Sequence, residues 1–237
     1  MVERLEDATA AILAGGLGTR LRSRIADRPK VLALVHGRPY LSYLLEQLSG
    51  AGVRDVVLLT GYRADQVRSA FGDRYANLHL TYSSEPSPLG TAGAVRLALP
   101  CLSSSTIVLL NGDSYCAASL PDFWDFHQRQ AAEFSLVLTS VEDCSRYGRV
   151  RVESDGRVVG LEEKNSAGGA GWVNAGIYLI NRSLIQEIPP DIPVSLERDM
   201  CPRWAAGKRC FGFACQGHFL DIGTPESYAQ AEAFFTC

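Results

Sequence analysis

The sequence lacks the features that define several common classes of protein. No apolar run approaches the roughly 18 residues of a membrane span. Residues 1–9 carry four charged side chains, which fits neither a signal peptide nor a transit sequence. The seven cysteines are an odd number without a C-x-x-C pair, so neither a disulfide framework nor a zinc knuckle is predicted. We therefore expect a cytoplasmic protein with reduced thiols and no membrane contact.

An excess of positive charge is also absent. The formal net charge is −3 at pH 7, and the basic residues are scattered rather than gathered in a stripe, which argues against a nucleic-acid surface. The four histidines show neither metal-ligand spacing nor a partnered nucleophile. With 237 residues, of which 46 % are hydrophobic, the chain can bury one sizeable core. We predict a single domain over residues 1–237.

Two well-known motifs are missing from the glycine-rich segment Ala14-Gly15-Gly16-Leu17-Gly18-Thr19-Arg20. A dinucleotide fingerprint would need glycine where Leu21 stands, and no lysine follows a glycine in the P-loop spacing. The segment follows an apolar run over residues 10–13, so its glycines fall at the carboxyl edge of a predicted sheet. Main-chain N–H groups can approach an anion there, and Arg20 and Lys30 can neutralise its charge. A polyphosphate is the expected ligand, and an ordinary glycine turn is the alternative.

Strand-like runs alternate with helical patterns in the first part of the chain. This rhythm predicts an α/β fold, with a Rossmann-like, mostly parallel sheet flanked by helices. Leucines at positions 41, 44, 45 and 48 give one apolar helix face. Further predicted elements are strands at 55–60, 78–82, 106–110 and 135–141, and helices at 64–71, 91–99 and 120–132.

The rhythm changes after Tyr147. Residues 149–162 predict a hairpin with a turn at Asp155-Gly156, which would be a small antiparallel extension in the second half. The polar, glycine-rich residues 165–171 predict a mobile loop. The remaining predictions are a strand at 172–180, a helix at 194–206, a strand pair across 209–220 and a closing helix at 225–235.

Two carboxylates are expected at the same edge of the sheet as the glycines. Asp113 directly follows a strand, and Asp221 follows an apolar pair of residues. Two carboxylates and phosphate oxygens make an ordinary Mg²⁺ site. Each aspartate also has a plain structural interpretation, since Asp113 can be a turn residue and Thr224-Pro225 after Asp221 can begin a helix.

Two further segments can contact the organic parts of a ligand. The loop from Glu85 to Gly90 enters a helix with Thr91 as the predicted N-cap, and its small residues can admit a nucleobase. Glu163-Lys164 and Asn174 offer a carboxylate, a cation and an amide for sugar hydroxyls and a phosphate. An ordinary proline-rich connection and a solvated hairpin edge are the alternatives for these segments.

The combination is more specific than its parts. The segments Gly-Gly-Leu-Gly-Thr-Arg-Leu, Arg28-Pro29-Lys30, Leu89-Gly90-Thr91-Ala92-Gly93, Asn111-Gly112-Asp113, Glu163-Lys164, Val173-Asn174-Ala175-Gly176 and Asp221-Ile222-Gly223-Thr224-Pro225 occur in the order of the sugar-1-phosphate nucleotidyltransferases. From residue 9 to about 230 the chain resembles that family. Residues 21–30 and the short length are similar to the compact D-glycero-α-D-manno-heptose-1-phosphate guanylyltransferases. Many relatives read Pro-Lys-Pro-Met where this chain reads Pro29-Lys30-Val31-Leu32, so the lysine is retained.

The resemblance implies a Mg²⁺-dependent transfer of a nucleotidyl group from a nucleoside triphosphate to a sugar 1-phosphate, with release of pyrophosphate. GTP and the heptose 1-phosphate are the favoured substrates, and GDP-heptose is then the product. The implied catalytic residues are Arg20, Lys30, Asp113 and Lys164, and the implied metal ligands are Asp113 and Asp221. The implied nucleotide contacts, in a part spanning about residues 1–145, are Leu13, Ala14, Gly15, Gly16, Gly18, Thr19, Arg20, Glu85, Leu89, Gly90, Thr91 and Gly112. The implied sugar-phosphate contacts, over about 146–237, are Gly148, Glu163, Lys164 and Asn174.

Several alternatives stay open at this point. The substrate can instead be mannose, glucose or N-acetylmuramic acid 1-phosphate, with another base. A non-catalytic sugar-nucleotide sensor of the same fold is an alternative of another class. A nicotinamide dehydrogenase is disfavoured because its glycine fingerprint is missing. Homodimers are common among relatives, but no segment of this sequence decides the oligomeric state.

Overall fold

The structure is a computed structural model that describes residues 3–16, 18, 21, 28–162 and 168–236. The strands are β1 (Thr9–Leu13), β2 (Leu34–Val35), β3 (Arg38–Pro39), β4 (Asp55–Thr60), β5 (Arg74–Tyr75), β6 (Leu78–Ser84), β7 (Thr106–Asn111), β8 (Ser114–Cys116), β9 (Phe134–Val141), β10 (Val150–Val152), β11 (Val158–Leu161), β12 (Gly171–Asn181), β13 (Cys210–Cys215) and β14 (Phe219–Asp221). The α-helices are α1 (Leu41–Gly50), α2 (Ala64–Phe71), α3 (Gly90–Leu97), α4 (Leu120–Arg129), α5 (Arg182–Gln186), α6 (Cys201–Gly207), α7 (Pro225–Ala229) and α8 (Ala231–Phe234). Short 3₁₀ turns cover Leu5–Asp7, Lys30–Leu32 and Leu99–Cys101, and a π-helical turn covers Leu196–Met200.

The largest sheet has eight strands in the order β13-β9-β12-β7-β1-β4-β6-β5. Parallel pairing joins β7, β1, β4 and β6, and also β13 and β9. The long strand β12 lies between β7 and β9 and is antiparallel to both. The hairpin of β10 and β11 forms a separate two-stranded sheet. The predicted fold class, a mostly parallel sheet with a small antiparallel extension, is confirmed.

Alternating side chains of the central strands build two cores, one on each face of the sheet. Ala10, Ile12, Val56 and Leu58 pack with helices α1, α2 and α4. Ala11, Val57 and Leu59 pack with α3, α5, α6 and the π-helical turn. The four leucines that predicted α1 are all buried in the first of these cores. Because β1, β4 and β7 are covered on both faces, they read as apolar runs rather than alternating patterns.

Four local predictions are wrong. The two strands across 209–220 do not pair with each other, because β13 lies beside β9 and β14 pairs antiparallel with β8. The helix at 194–206 is a π-helical turn followed by α6, with Pro202 in the first turn of α6. The closing helix is divided into α7 and α8 at Gln230. Thr91 is not an N-cap, because α3 begins at Gly90 and its N-cap is Leu89.

The predicted hairpin turn at Asp155-Gly156 is confirmed. Gly156 has a φ of 86° and donates its N–H to the Glu153 carbonyl at 3.0 Å. Residues 165–167 of the loop predicted at 165–171 lie outside the described residues. Of the helices that are described, none is both long enough and apolar enough to cross a bilayer.

Candidate active site

Two neighbouring cavities lie at the carboxyl edge of the parallel strands. The first, of about 470 Å³, is called the glycine-side cavity and is lined by Leu13, Ala14, Gly15, Gly16, Gly18, Lys30, Val31, Leu59, Glu85, Pro88, Gly90, Thr91, Ala94, Asn111, Gly112, Asp113 and Glu197. The second, of about 450 Å³, is called the acidic cavity and is lined by Asn111, Asp113, Tyr147, Gly148, Val150, Leu161, Glu162, Asn174, Ser195, Glu197, Arg198, Pro202 and Asp221. Three residues line both cavities and form the wall between them: Asn111, Asp113 and Glu197.

The glycine segment follows β1 and forms one side of the first cavity. Ala14 donates its N–H to the Leu59 carbonyl at 2.8 Å, which extends the sheet one residue beyond the strand. A Cβ on Gly15 would lie 3.0 Å from the Glu85 carboxylate, whereas Gly16 has open space around it. Gly18 has a φ of 57°, a left-handed conformation that favours glycine. No side chain therefore covers the main chain at these glycines, so its N–H groups can contact an anion.

Lys30 and Asp113 form an ion pair in this wall. The Lys30 ammonium lies 2.7 Å from Asp113 Oδ2. The lysine side chain is 10 % exposed and the aspartate side chain 39 % exposed, so the carboxylate is the member that remains open to a ligand. Lys30 begins a 3₁₀ turn, and Asp113 follows β7, so two separate elements hold the pair. The pairing places a cation and a carboxylate at one point beside both cavities.

Asp221 lies beside Asp113 because β14 pairs with β8. Asp221 is in register with Ser114, and the Ile222 N–H donates to the Asp113 carbonyl at 2.9 Å. Both aspartates line the acidic cavity. The Gly223 N–H donates to Asp221 Oδ1. The described residues contain no group of three or more His, Cys, Asp and Glu side chains that could hold a metal. A cation here would therefore need substrate oxygens in addition to the two carboxylates, as a Mg²⁺ ion usually has.

The segment after Asp221 also has a structural role. Thr224 is the N-cap of α7 and forms a capping box with Ser227. The plain interpretation of Thr224-Pro225 as a helix start is therefore confirmed. This role is compatible with Asp221 as a site residue, because Asp221 ends β14 and the cap belongs to α7.

The loop between β6 and α3 lines the far end of the glycine-side cavity. Glu85 Oε2 accepts the Leu89 N–H at 2.8 Å, so the carboxylate closes the loop on itself. A Cβ on Gly90, whose φ is 73°, would lie 2.4 Å from the Val194 carbonyl oxygen. Glu85 and Gly90 line the cavity, but the predicted nucleotide contact Leu89 is not among its lining residues.

A network of polar side chains links α3 to β12 through Glu197. Thr91 donates to Glu197 Oε2 at 2.9 Å, and Tyr178 donates to Glu197 Oε1 at 3.3 Å. Asn174 Nδ2 donates to the Tyr178 hydroxyl at 2.7 Å. Burial, with Glu197 alongside, raises the pKa of the Tyr178 hydroxyl well above its usual value near 10, so Tyr178 remains a proton donor. The predicted nucleotide contact Thr91 and the predicted sugar contact Asn174 are thus connected.

The structure brings most of the predicted site residues together. The predicted residues around the glycine-side cavity are Leu13, Ala14, Gly15, Gly16, Gly18, Lys30, Glu85, Gly90, Thr91, Gly112 and Asp113. Those around the acidic cavity are Gly148, Asn174, Asp113 and Asp221. The predictions for Thr19, Arg20, Glu163 and Lys164 lie outside the described residues.

Several lining residues were missed from the sequence, among them Asn111, Glu197 and Arg198. Asn111 stands two positions before Asp113, so its place at the end of the same strand was a usable signal. Glu197 and Arg198 lie in the π-helical turn, in a stretch predicted only as a helix, and no local motif singles them out.

Comparisons with known proteins agree with this arrangement. The nucleotidyl transferase family model matches residues 9–236. The chain is 33 % identical over 223 residues to the D-glycero-alpha-D-manno-heptose 1-phosphate guanylyltransferase of Aneurinibacillus thermoaerophilus, covering 94 % of this chain and 96 % of that protein. It is 34 % identical over 227 residues to the mannose-1-phosphate guanylyltransferase of Mycobacterium tuberculosis, covering 94 % of this chain and 63 % of that longer protein.

Solved structures of similar fold give the same result. HddC from Yersinia pseudotuberculosis superposes with a TM-score of 0.86 at 33 % identity, covering 96 % of this chain and 99 % of that chain. The same protein complexed with GMP-PN gives a TM-score of 0.85 over the same shares of the two chains. The family model spans nearly the whole chain and the heptose 1-phosphate relative is covered almost completely, so this chain belongs to the nucleotidyl transferase family of enzymes.

Proposed function

We propose that this protein transfers the guanylyl group of GTP to a sugar 1-phosphate, releasing pyrophosphate, and that the sugar is D-glycero-α-D-manno-heptose 1-phosphate. The observation that carries the proposal is the shared wall. Asp113, paired with Lys30, borders both cavities, so a ligand in each would meet at this pair. The triphosphate would occupy the glycine-side cavity and the sugar phosphate the acidic cavity. A cytoplasmic location remains a prediction.

The chemistry needs little from the protein beyond positioning and charge. An anionic oxygen of the sugar phosphate attacks the α-phosphorus, a new P–O bond forms, and the bond to the β-phosphate oxygen breaks as pyrophosphate leaves. The attacking oxygen carries no proton, so no general base is required. Two anions must be held together against their repulsion, which is a matter of orientation and electrostatic stabilisation. Lys30 would supply positive charge at the reacting phosphates, and the bare main chain around Gly16 would contact the triphosphate.

Asp113 and Asp221 fit the role of metal ligands. They are two hard oxygen donors, Asp113 in the turn before β8 and Asp221 at the end of β14, which pairs with β8, and both line the acidic cavity. A bound Mg²⁺ would polarise a phosphoryl oxygen and offset the charge of the two substrates. Asp113 would then serve two partners, since Oδ2 accepts from Lys30 and Oδ1 would remain for the ion. The predicted roles of Arg20 at the leaving phosphates and Lys164 at the sugar phosphate complete the proposed charge arrangement.

The preference for guanine rests on Glu85. A carboxylate offers only acceptors. The guanine edge presents N1–H and an amino group as donors, whereas thymine and uracil present one donor between two carbonyl acceptors. Glu85 lines the glycine-side cavity, and its Oε2 is held by the Leu89 N–H, which leaves the carboxylate in one orientation. Relatives that are named guanylyltransferases support the same base.

Mannose 1-phosphate is the second candidate sugar. It is supported by the relative from Mycobacterium tuberculosis, which is named for that substrate and is as similar in sequence as the heptose 1-phosphate relative. N-acetylmuramic acid and glucose 1-phosphates have no such support among these relatives.

Pyrophosphate release tests both halves of the proposal. The purified protein with Mg²⁺ is assayed with five nucleoside triphosphates against heptose, mannose, glucose and N-acetylmuramic acid 1-phosphates. We expect GTP with the heptose phosphate to give the highest kcat/KM, and Glu85→Gln to reduce the preference for GTP over dTTP by about tenfold, the loss of one good hydrogen bond. Higher kcat/KM with another base would refute the guanine assignment. No release with any pair, from protein whose melting curve shows it is folded, would favour a non-catalytic sensor.

A further inference from the structure

Glu197 stands in the wall between the two cavities, although no sequence motif marks it. Three protein hydroxyls surround its carboxylate, and it lines both cavities. We propose that Glu197 accepts a hydrogen bond from a hydroxyl of one substrate and so determines which substrate is accepted, and that Tyr178 is the positioning residue that holds the carboxylate in place. This inference rests on the proposed function and deepens it.

The second hydrogen bond of each hydroxyl near Glu197 shows where its own proton points. The Thr91 hydroxyl accepts the Leu196 N–H at 2.7 Å, so its own proton is available to Glu197 Oε2 at 2.9 Å. The Ser195 hydroxyl accepts the Arg198 N–H at 3.2 Å and donates to the same Glu197 oxygen at 3.3 Å. In each case a main-chain donor occupies the hydroxyl's acceptor side. Both protons therefore point at the carboxylate.

Tyr178 directs its proton to Glu197 for the same reason. Its hydroxyl faces the amide of Asn174 at 2.7 Å and that of Asn111 at 3.5 Å. The Gly176 N–H donates to Asn174 Oδ1 at 2.9 Å, which fixes the amide with its NH₂ group toward Tyr178. A phenol has one proton to donate. With amide donors on its acceptor side, Tyr178 donates that proton to Glu197 Oε1.

The Glu197 carboxylate can accept one more hydrogen bond than the protein donates to it. A carboxylate has about four acceptor positions, and three donors of the protein use three of them, two on Oε2 and one on Oε1. The remaining position on Oε1 belongs to a half-buried side chain that lines both cavities. A rigid acceptor beside two substrate cavities is suited to a neutral donor. It is unsuited to a phosphate, which presents negative charge and no proton.

The charges around the acidic cavity favour the same ligand group. Its described lining includes four carboxylates, from Asp113, Glu162, Glu197 and Asp221, and one guanidinium, from Arg198. In the proposed mechanism, Asp113 and Asp221 would hold a metal ion that contacts the phosphates. Glu197 lies on the side of the cavity formed by β12 and the π-helical turn, and the group it recognises is a hydroxyl. That hydroxyl belongs to the sugar of the sugar 1-phosphate or to the ribose of the triphosphate, since Glu197 borders both cavities.

Deoxy substrates identify the hydroxyl and test the role of Glu197 together. Pyrophosphate release is measured with D-glycero-α-D-manno-heptose 1-phosphate and its 2-, 3-, 4-, 6- and 7-deoxy analogues, and with GTP and its 2′- and 3′-deoxy forms. We expect the wild-type protein to lose at least about tenfold in kcat/KM at one position, the scale of a hydrogen bond of about 1.4 kcal/mol. Glu197→Ala should lower kcat/KM for the parent substrates by a similar factor and abolish the discrimination at that position.

Two results would overturn the proposal. One is a wild-type protein that treats every deoxy analogue like its parent. The other is a Glu197→Ala variant that loses activity equally with all substrates and keeps the discrimination, which would make Glu197 a purely structural tie between α3 and β12. Absence of pyrophosphate release by the wild-type protein with the parent pair would instead refute the proposed function itself.

Tyr178→Phe provides an independent test if Glu197→Ala does not fold. The substitution removes only the hydroxyl and releases Glu197 Oε1. We expect a fivefold to tenfold weaker discrimination at the same hydroxyl, expressed in KM, with kcat within about threefold of wild type. Tyr43→Phe is the matched control, because it removes a hydroxyl that donates to the Val35 carbonyl at 3.1 Å away from both cavities. An unchanged discrimination in Tyr178→Phe, as in Tyr43→Phe, would refute the positioning role.

Discussion

Polar groups at the two edges of the central sheet have different partners. At the amino edge of the parallel strands, they bond to the protein itself: the Thr9 N–H donates to Ser104 Oγ at 2.9 Å, and the Glu3 carboxylate accepts the N–H groups of Ser105 and Thr106. At the carboxyl edge, polar groups surround two open cavities. Asn111 Oδ1, at the end of β7, is buried and has no hydrogen-bond partner among the described residues.

The difference separates stability from function within one sheet. At the amino edge, the Thr9 N–H and the Glu3 carboxylate are already bonded to groups of the folded chain. The carboxyl edge has glycines, an ion pair with an exposed carboxylate and a carboxylate held by three hydroxyls, all directed at space that substrates would fill. Substitutions at the carboxyl edge should therefore change catalysis more than folding, and substitutions at the amino edge the reverse.

The largest expected effect is that of Asp113→Asn at the carboxyl edge. The amide oxygen can still accept from Lys30, but the charge that would hold the metal ion is gone. We expect kcat/KM to fall at least about a hundredfold, the scale of a principal electrostatic stabiliser. The melting temperature should change by no more than about 4 °C, since a surface-accessible charge contributes little to folding. Near-normal pyrophosphate release by the folded variant would remove Asp113 from the mechanism.

Gly90→Ala tests a close main-chain contact at the same edge. A Cβ there would meet the Val194 carbonyl, which accepts N–H groups from Ala92 and Gly93, and the φ of 73° is unfavourable for alanine. We expect a loss of about 2 kcal/mol in the free energy of unfolding, or about 4–8 °C in melting temperature. The KM for the triphosphate should rise with it, because the loop between β6 and α3, which lines the glycine-side cavity, would move.

Gly16→Ala is the matched control for folding. Gly16 lines the same cavity, but no atom lies within 4 Å of its added Cβ, and its φ is not positive. Its melting temperature should stay within about 1 °C of wild type. Equal destabilisation by both substitutions would show that the contact with Val194 is not what requires glycine at position 90.

The sequence predicted the elements of this fold better than their partners. The leucines of α1 and the turn at Asp155-Gly156 are local patterns, and both are confirmed. The partner of β13 is β9, more than 60 residues earlier in the chain, and a strand's own residues do not encode which of several apolar strands lies beside it. The adjacent strands at 210–215 and 219–221 were therefore wrongly predicted to pair with each other.

The candidate site shows the same limit at the level of side chains. Lys30 and Asp113 were predicted because they stand near the glycine segment and directly after a strand, and the resemblance assigns their roles. Glu197 was missed because its importance comes from three hydroxyls on α3, β12 and its own turn, which only the folded chain brings together. Thr91 was predicted as a helix cap because threonine often has that role. Its hydroxyl instead donates to Glu197, a residue more than 100 positions away.

The smallest expected effect is an acid sensitivity at the amino edge, centred on His127. This histidine is buried between α4 and the sheet, with Ser135 Oγ at 2.8 Å from Nδ1 and Asn181 Oδ1 at 3.4 Å from Nε2. Burial lowers its pKa to about 4, from a usual value near 6.5, although the bond to Asn181 acts in the opposite direction. The unfolded chain therefore binds the proton first as the pH falls.

The stabilisation that the neutral His127 side chain contributes is fully present above about pH 6.5 and is lost progressively toward pH 4. The reason is that only the unfolded chain binds the proton between these two pH values. Between pH 7 and 5.5 we expect the wild-type protein to lose about 1 kcal/mol more of its unfolding free energy than His127→Gln, which cannot titrate. Urea denaturation at the two pH values measures the difference. At pH 7.5 kcat/KM should be the same in both proteins, since His127 lies at the edge of the sheet away from the cavities. Parallel pH dependence of stability in the two proteins would mean that His127 binds its proton equally well in the folded and unfolded chain. A changed kcat/KM would mean that the two edges are coupled.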